Sequence, residues 1–276
     1  MRWALLPVTL ALTAFGSANA QVPSSTEVDV ELVLAVDVSW SMDRREQELQ
    51  RDGYVAAFRD PRVQDAILKG PNGRVAIAYV EWAGQSTQSV VIPWTLIDTR
   101  ESADAFAYRL SVEEADRERR TSISSAIDFV TPMFENNGFE GLRRVIDMSG
   151  DGPNNQGRPV TQARDAAIAG GITINGLPLM TQDDARGSWG SIAHLDRYYR
   201  DCVIGGPGAF MIPVTGWDQF PDAVRRKLIM ELANLRPATP PAAEAATLWP
   251  VASRGGSDCL IGETLWQQRQ DRWGPN

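Results

Sequence analysis

The chain has 276 residues, 43% apolar and 22% charged, with a formal charge of -8, one histidine and two cysteines. An acidic chain of ordinary globular composition is poorly suited to nucleic acid or an anionic membrane surface as its main partner, because both would repel it. One histidine and two widely spaced cysteines also leave too few ligands for a zinc centre of the usual nitrogen and sulfur kind.

The first twenty residues carry Arg2, an apolar run from Ala4 to Phe15 and the small-residue ending Ala18-Asn19-Ala20. Residues 1–20 therefore read as a secretory signal peptide, cleaved before Gln21; the run is shorter than the ~20 residues that span a bilayer. Without a Cys at the cleavage point, a lipid anchor is not expected. Loss of Arg2 makes the mature chain one charge more negative. Periplasm is the first expectation and secretion the second. In such a compartment Cys202 and Cys259 are candidates for a disulfide, with two unpaired thiols the alternative.

Val28 to Val38 begins with alternation and becomes a nearly continuous apolar run, the pattern of a strand covered on both faces. It stops at Asp37-Val38-Ser39-Trp40-Ser41. A helix is expected from Asp43, its cap, to Arg59, with Leu49, Tyr54, Val55 and Phe58 at helical spacing. After Asn72-Gly73, strands are expected over Val75 to Trp82 and Gln85 to Ile92, close enough to form a hairpin. A helix over Glu101 to Leu110 leads into the charged stretch Glu113 to Arg120, where acid and base nearly balance and a solvated turn is expected.

Thr121 to Asn136 reads as a helix, Arg143 to Met148 as a strand ending in Ser149-Gly150-Asp151-Gly152, Val160 to Ala169 as a helix and Ile172 to Leu177 as a strand. A helix from Ile192 to Tyr199, a strand from Ala209 to Val214 and a helix from Trp217 to Leu235 complete the series. This alternation predicts a doubly wound, mostly parallel sheet with one antiparallel edge strand and helices on both faces. Residues 237–276 are a Pro/Ala linker and a tail, with Trp249, Trp266 and Trp273, too short for a core of its own.

In sheets of this kind, sites form beyond the carboxyl ends of the strands. That rule brings Asp37 to Ser41, Glu81 and Ser149 to Asn155 to one rim. Residues two apart on extended backbone point the same way, so Asp37, Ser39 and Ser41 offer one carboxylate and two hydroxyls to a hard cation. Thr121, opening a helix, and Asp151, following a strand, can reach the same place. Alone, Asp-x-Ser-x-Ser is as readily a turn or a helix cap.

These three pieces resemble the metal-ion-dependent adhesion site of von Willebrand factor A-type domains, and the chain from Asp29 to Leu235 resembles that domain, placed here over residues 27–236. More narrowly, EGLRRVIDMSGDGPNNQGRP, ITINGLP, DRYYRD and VIGGPGAF resemble an exported bacterial family of that fold with no assigned biochemical role. The resemblance implies Mg²⁺ or Mn²⁺ held by Asp37, Ser39, Ser41, Thr121 and Asp151, and a partner protein whose Asp or Glu completes the coordination. Two departures stand out. Trp40 occupies a place usually held by a small residue, and Arg119-Arg120 precede Thr121. Trp40 is either a binding hot spot or a plug against a neighbouring loop. Glu81, Asn154 and Asn155 are further candidates for the ligand rim.

Serine hydrolysis lacks a base, since His194 lies in an expected helix and no Gly-x-Ser-x-Gly elbow is present. Gly205-Gly206-Pro207-Gly208 lacks the Lys-Ser/Thr of a phosphate loop and reads as a turn. A Mg²⁺-dependent phosphate-ester hydrolase is the remaining enzymatic alternative, with Glu81 as its acid or base, although Glu81 reads first as a rim carboxylate in solvent or paired with an Arg. A structural module with a vestigial metal site is the third reading. A non-catalytic binding module is the preferred one.

Overall fold

The computed structural model describes residues 25–113, 118–181, 192–232 and 256–273. The expected signal peptide and the Pro/Ala linker lie outside the described residues. Five strands form the main sheet: β2 (Glu31–Asp37), β3 (Val75–Trp82), β4 (Gln88–Ile97), β6 (Arg144–Gly150) and β7 (Ile172–Pro178). Their spatial order is β4-β3-β2-β6-β7, parallel except for the antiparallel β3–β4 pair at one edge. Two short strands, β1 (Thr26–Val28) and β5 (Phe139–Gly141), pair in parallel apart from it.

Alternation along the strands sends side chains to two separate cores. Leu32, Leu34 and Val36 of β2, with Val75, Ile77 and Tyr79 of β3, pack beneath α1 (Arg44–Arg59), α2 (Pro61–Leu68), α3 (Arg100–Val112) and α7 (Phe220–Leu232). Val33, Ala35, Ala78, Val80 and Trp82 face α4 (Ile123–Val130), α5 (Val160–Ala169) and α6 (Leu195–Tyr198). Among the described residues, no helix is long and apolar enough to cross a membrane.

Several boundaries differ from expectation for physical reasons. The first strand breaks after Val28, because Asp29 turns its carboxylate to accept the Asn72 N–H at 2.8 Å. β4 continues through Pro93 to Ile97, which an edge strand tolerates because no neighbour needs the missing N–H. The helix from Thr121 starts at Ile123, capped by Ser122, and tightens at Pro132 into a 3-10 turn over Thr131–Phe134. The helix expected from Ile192 is a short α6 followed by a π turn, Tyr199–Val203.

Ala209 to Val214 is not a continuous strand: it makes single bridges, Gly176 with Met211 and Leu179 with Val214, and Pro178 on the facing strand has no N–H to donate between the bonds that Ile212 and Val214 make to Gly176 and Pro178. The largest departure is the tail. Its residues from Ile261 to Trp273 form a helix, α8, joined to the domain by a Cys202–Cys259 disulfide with Cα atoms 5.5 Å apart.

Candidate functional site

The sheet order reverses between β2 and β6, since β2 connects onward to β3 on one side while β6 connects to β7 on the other. A crevice opens at the carboxyl ends of strands at such a point. Asp37 is the last residue of β2, and Asp151 follows the last residue of β6.

The sequence places short polar side chains where the backbone turns. Asp37 Oδ1 accepts the Ser39 N–H at 2.7 Å, closing an Asx turn that swings the chain out of the strand. Two buried glutamines of α1 hold the turn from below: Gln50 Nε2 donates to the Asp37 carbonyl and Gln47 Nε2 to the Val38 carbonyl, each at 3.0 Å. The Ser39 and Ser41 hydroxyls lie 2.8 Å apart, and Ser41 Oγ donates to Asp151 Oδ1 at 2.7 Å. Four of the five expected metal residues therefore form one hydrogen-bonded chain.

Thr121, the fifth, is buried and linked through its backbone. Its N–H donates to Asn155 Oδ1 at 3.2 Å and its carbonyl accepts the Asn155 N–H at 2.9 Å. Asn154 is buried as well; its Oδ1 accepts the Ser124 N–H at 2.9 Å, so it caps α4 instead of facing solvent. Gly157, at φ +85°, brings the same loop against the hydroxyls of Ser122, Ser124 and Ser125, where a Cβ would sit within 3.0 Å of all three.

Trp40 is half exposed, with the Arg119 guanidinium 4.2 Å over its ring. The charged stretch is exposed at Glu118 to Arg120, as a solvated turn should be, but it also shapes the rim: the Glu118 N–H donates to the Val38 carbonyl at 3.1 Å. Residues 114–117 lie outside the described residues. Glu81 takes the Arg-paired form of its two expected ones and not the solvent-facing form. It is 5% exposed and ion-paired with Arg51, which reaches across from α1, so it does not present a solvent-facing carboxylate.

Two carboxylates buried this closely resist ionisation together. Burial, and then the Asp151 charge, push Asp37 well above the usual carboxylate range, while hydrogen bonds from Ser39 and the Asp151 backbone oppose the shift. Asp151 is pushed up to about 6, chiefly by burial, with the Ser41 hydrogen bond opposing and Glu46 adding to the rise.

Residues 27–236 match the model of a family described as "protein of unknown function (DUF1194)". The chain belongs to that family. No curated protein matches the DUF1194 chain in sequence. Among solved structures it is similar to proximal thread matrix protein 1 from the mussel byssus, at 14% identity and a TM-score of 0.56 over 76% of this chain and 49% of that one. Another structure of that mussel protein, described as having a zinc-occupied MIDAS motif, gives 14% identity and 0.55 over 74% and 48%. The pilus adhesin SpaC of Lactobacillus rhamnosus GG gives 13% identity and 0.51 over 76% and 32%. The DUF1194 chain thus spans about half the length of the mussel protein. Its fold is of the von Willebrand factor A type.

Whether the DUF1194 side chains suit a metal can be judged from their oxygens. Among the described residues, no cluster of three or more His, Cys, Asp or Glu is arranged for a metal, so the candidate set draws on hydroxyls as much as carboxylates. Asp37 Oδ2 is buried and has no hydrogen-bond partner among the described residues, and neither does the buried Tyr199 hydroxyl. A Cβ on Gly150 would lie 3.0 Å from that Asp37 oxygen and 2.8 Å from the Tyr199 oxygen, so both converge on one point behind the site. An all-oxygen set with one unsatisfied buried carboxylate oxygen fits a hard divalent cation.

Sequence reasoning missed Gln47, Gln50 and Tyr199. The glutamines left a faint signal, two amides three apart on the side of α1 that also carries Tyr54. Tyr199 left none, because only the fold brings the π turn beneath Asp37.

Proposed function

We propose that this chain is an exported, divalent-metal-dependent protein-binding module. Residues 1–20 are its export signal, 27–236 its binding domain and 237–276 its linker and tail, with periplasm the favoured destination. The disulfide suits an oxidising compartment. Asp37, Ser39, Ser41, Thr121 and Asp151 would hold Mg²⁺ or Mn²⁺, and an Asp or Glu of a partner protein would complete the shell. The cation supplies electrophilic attraction for an acidic group that the net charge of -8 would otherwise repel.

The single observation that carries this reading is the buried, unpartnered Asp37 Oδ2, on the carboxylate whose other oxygen holds the Ser39 turn from which the hydroxyl chain runs to Asp151. Without a counter-charge, two buried carboxylates destabilise the fold; a cation there turns the liability into a site. Trp40 and Arg119 border it and would contact the partner around the metal. The zinc reported for the mussel protein's motif makes Zn²⁺ a further ion to compare with Mg²⁺ and Mn²⁺. The hydrolase alternative loses support, because Glu81 is engaged by Arg51.

Calorimetric titration of the mature protein with Mn²⁺ and Mg²⁺ is the direct test. Wild type should bind one ion and Asp37→Ala none, and a partner captured from periplasmic extract should be released by chelator. Equal binding by wild type and Asp37→Ala, or none by either at millimolar ion, would sink the proposal.

A further inference from the structure

The tail helix touches two of the three pieces of the candidate site from outside. Glu263, in the first turn of α8, accepts the Asn154 Nδ2–H at 2.7 Å, and Gly262 packs so closely on the Asn154 carbonyl that a Cβ has no room. Further along α8, Trp266 lies under the Arg120 guanidinium, 4.4 Å from its ring centre. Asn154 follows Asp151 by three residues, and Arg120 directly precedes Thr121. Neither contact covers Asp37, Ser39 or Ser41.

Inside the domain the two loops are joined by the Asn155 N–H donating to the Thr121 carbonyl, by the Thr121 N–H donating to the Asn155 side-chain Oδ1, and by Ser122 Oγ donating to the Gln156 carbonyl at 2.8 Å. Arg120 has φ +75°, a left-handed conformation costly for a side-chain-bearing residue, so the turn before Thr121 depends on outside support. α8 itself is anchored beside its start. Cys259 is bonded to Cys202, and the Ser257 N–H and hydroxyl both donate to Asp201 Oδ2, at 3.0 and 2.9 Å. Ile261 packs on the core that holds Trp82 and Tyr199.

We infer that α8 is a disulfide-tethered clamp that holds the Thr121 and Asp151 loops in register for metal binding, with Glu263 and Trp266 as positioning residues. The clamp acts by ordering: loops already fixed lose less conformational freedom when an ion binds. Its effect on metal affinity rests on the proposed metal site, whereas the ordering of the loops does not.

The test uses the mature chain with its tail, comparing wild type, Trp266→Ala, Glu263→Ala, Glu263→Gln and the double variant Cys202→Ser/Cys259→Ser. Mn²⁺ affinity is measured by calorimetry, and hydrogen exchange is followed in residues 119–125 and 151–156. Mn²⁺ affinity should fall about tenfold in Trp266→Ala, Glu263→Ala and the double serine variant, an ordinary size for coupling between separate elements. Glu263→Gln, which keeps a carbonyl oxygen to accept from Asn154, should stay within about twofold of wild type. Exchange in the two loops should speed up in all three weakened variants, and in Trp266→Ala and Glu263→Ala amides of β2 and β3 should stay protected; in the double serine variant the loops should lose more protection than the global loss of stability imposes on β2 and β3. Unchanged loop exchange in all the variants would overturn the clamp, as would tighter Mn²⁺ binding after the tail is loosened, which would mark α8 as inhibitory. If wild type binds no Mn²⁺, the metal reading fails and loop exchange still decides the clamp.

Discussion

Gly150 shows how tightly single residues constrain this site. It ends β6 beneath Asp37, and a Cβ there would meet the Tyr199 oxygen at 2.8 Å, Asp37 Oδ2 at 3.0 Å and the Trp82 ring at 3.3 Å. Trp82 and Tyr199 are fully buried, so neither can retreat without disturbing the core. Gly150→Ala should therefore cost about 1–3 kcal/mol in urea denaturation, the usual size of an overpacking penalty. Mn²⁺ binding should weaken with it, and a variant of wild-type stability and affinity would show that the crevice has slack. The same position marks how far the site could be read from the chain. Asp37, Ser39, Ser41 and Asp151 were legible because local rules, side-chain alternation and strand ends, govern where they point. For Glu81 an Arg pair was legible as one of two forms, but not its partner Arg51, because a strand end says nothing about which distant Arg will reach it. Tyr199 was invisible for the converse reason, since its hydroxyl approaches Asp37 only through tertiary packing.

At the scale of elements, β6, β7 and α7 are joined by a buried charge cluster remote from the rim. Lys227 Nζ lies 2.5 Å from both Asp147 Oδ1 and Glu231 Oε1, and Asn175 Nδ2 donates to that Glu231 oxygen at 3.0 Å. One cation faces two carboxylates in a region closed to water, so Asp147 is pushed up to about 7, by burial first and Glu231 second, with Lys227 opposing. The folded state then holds a proton that the unfolded chain, with an ordinary Asp, has released. Stability from this group is complete below the unfolded value near 3.8 and is lost as pH rises through about 7. Urea midpoints measured in chelator should accordingly fall between about pH 4 and pH 7 and level off above that, and Asp147→Asn, which leaves a neutral Lys227–Glu231 pair, should flatten that slope. An unchanged slope would place the titration elsewhere. Elements differ in legibility for equally physical reasons. Val75–Trp82 and Val160–Ala169 were read to the residue because glycines or abrupt polarity changes bound them. α2 and β5 were missed because short segments are stabilised by what they pack against, and Ala209–Val214 has strand-like residues but faces Pro178 where the ladder needs a donor.

At the scale of the whole molecule, the disulfide decides how the tail and domain unfold together. It joins residues 57 apart, and the loop it closes contains α7, the helix that packs on α1 over the core of Leu32, Leu34 and Tyr54. Cross-linking limits the unfolded chain, so a closure of this length stabilises by about 4 kcal/mol in the chain-entropy model. Cys202 is fully buried and sits among Tyr198, Tyr199 and Val203, so its bridge is seated in the domain core. Two outcomes of reduction are then distinguishable by following Trp fluorescence and far-ultraviolet circular dichroism together. If α8 and the domain form one cooperative unit, Cys202→Ser/Cys259→Ser should lower the urea midpoint in a single transition, with a loss approaching about 4 kcal/mol and a slope somewhat steeper than wild type because the unlinked chain unfolds to a more open state. If the tail docks independently, a low-denaturant step involving Trp266 should precede a main transition little changed in position. The packing of Ile261 against the inner core and of Gly262 against the Asn154 backbone argues for the single transition, because the tail's contacts are with residues that the domain itself must order before it can fold.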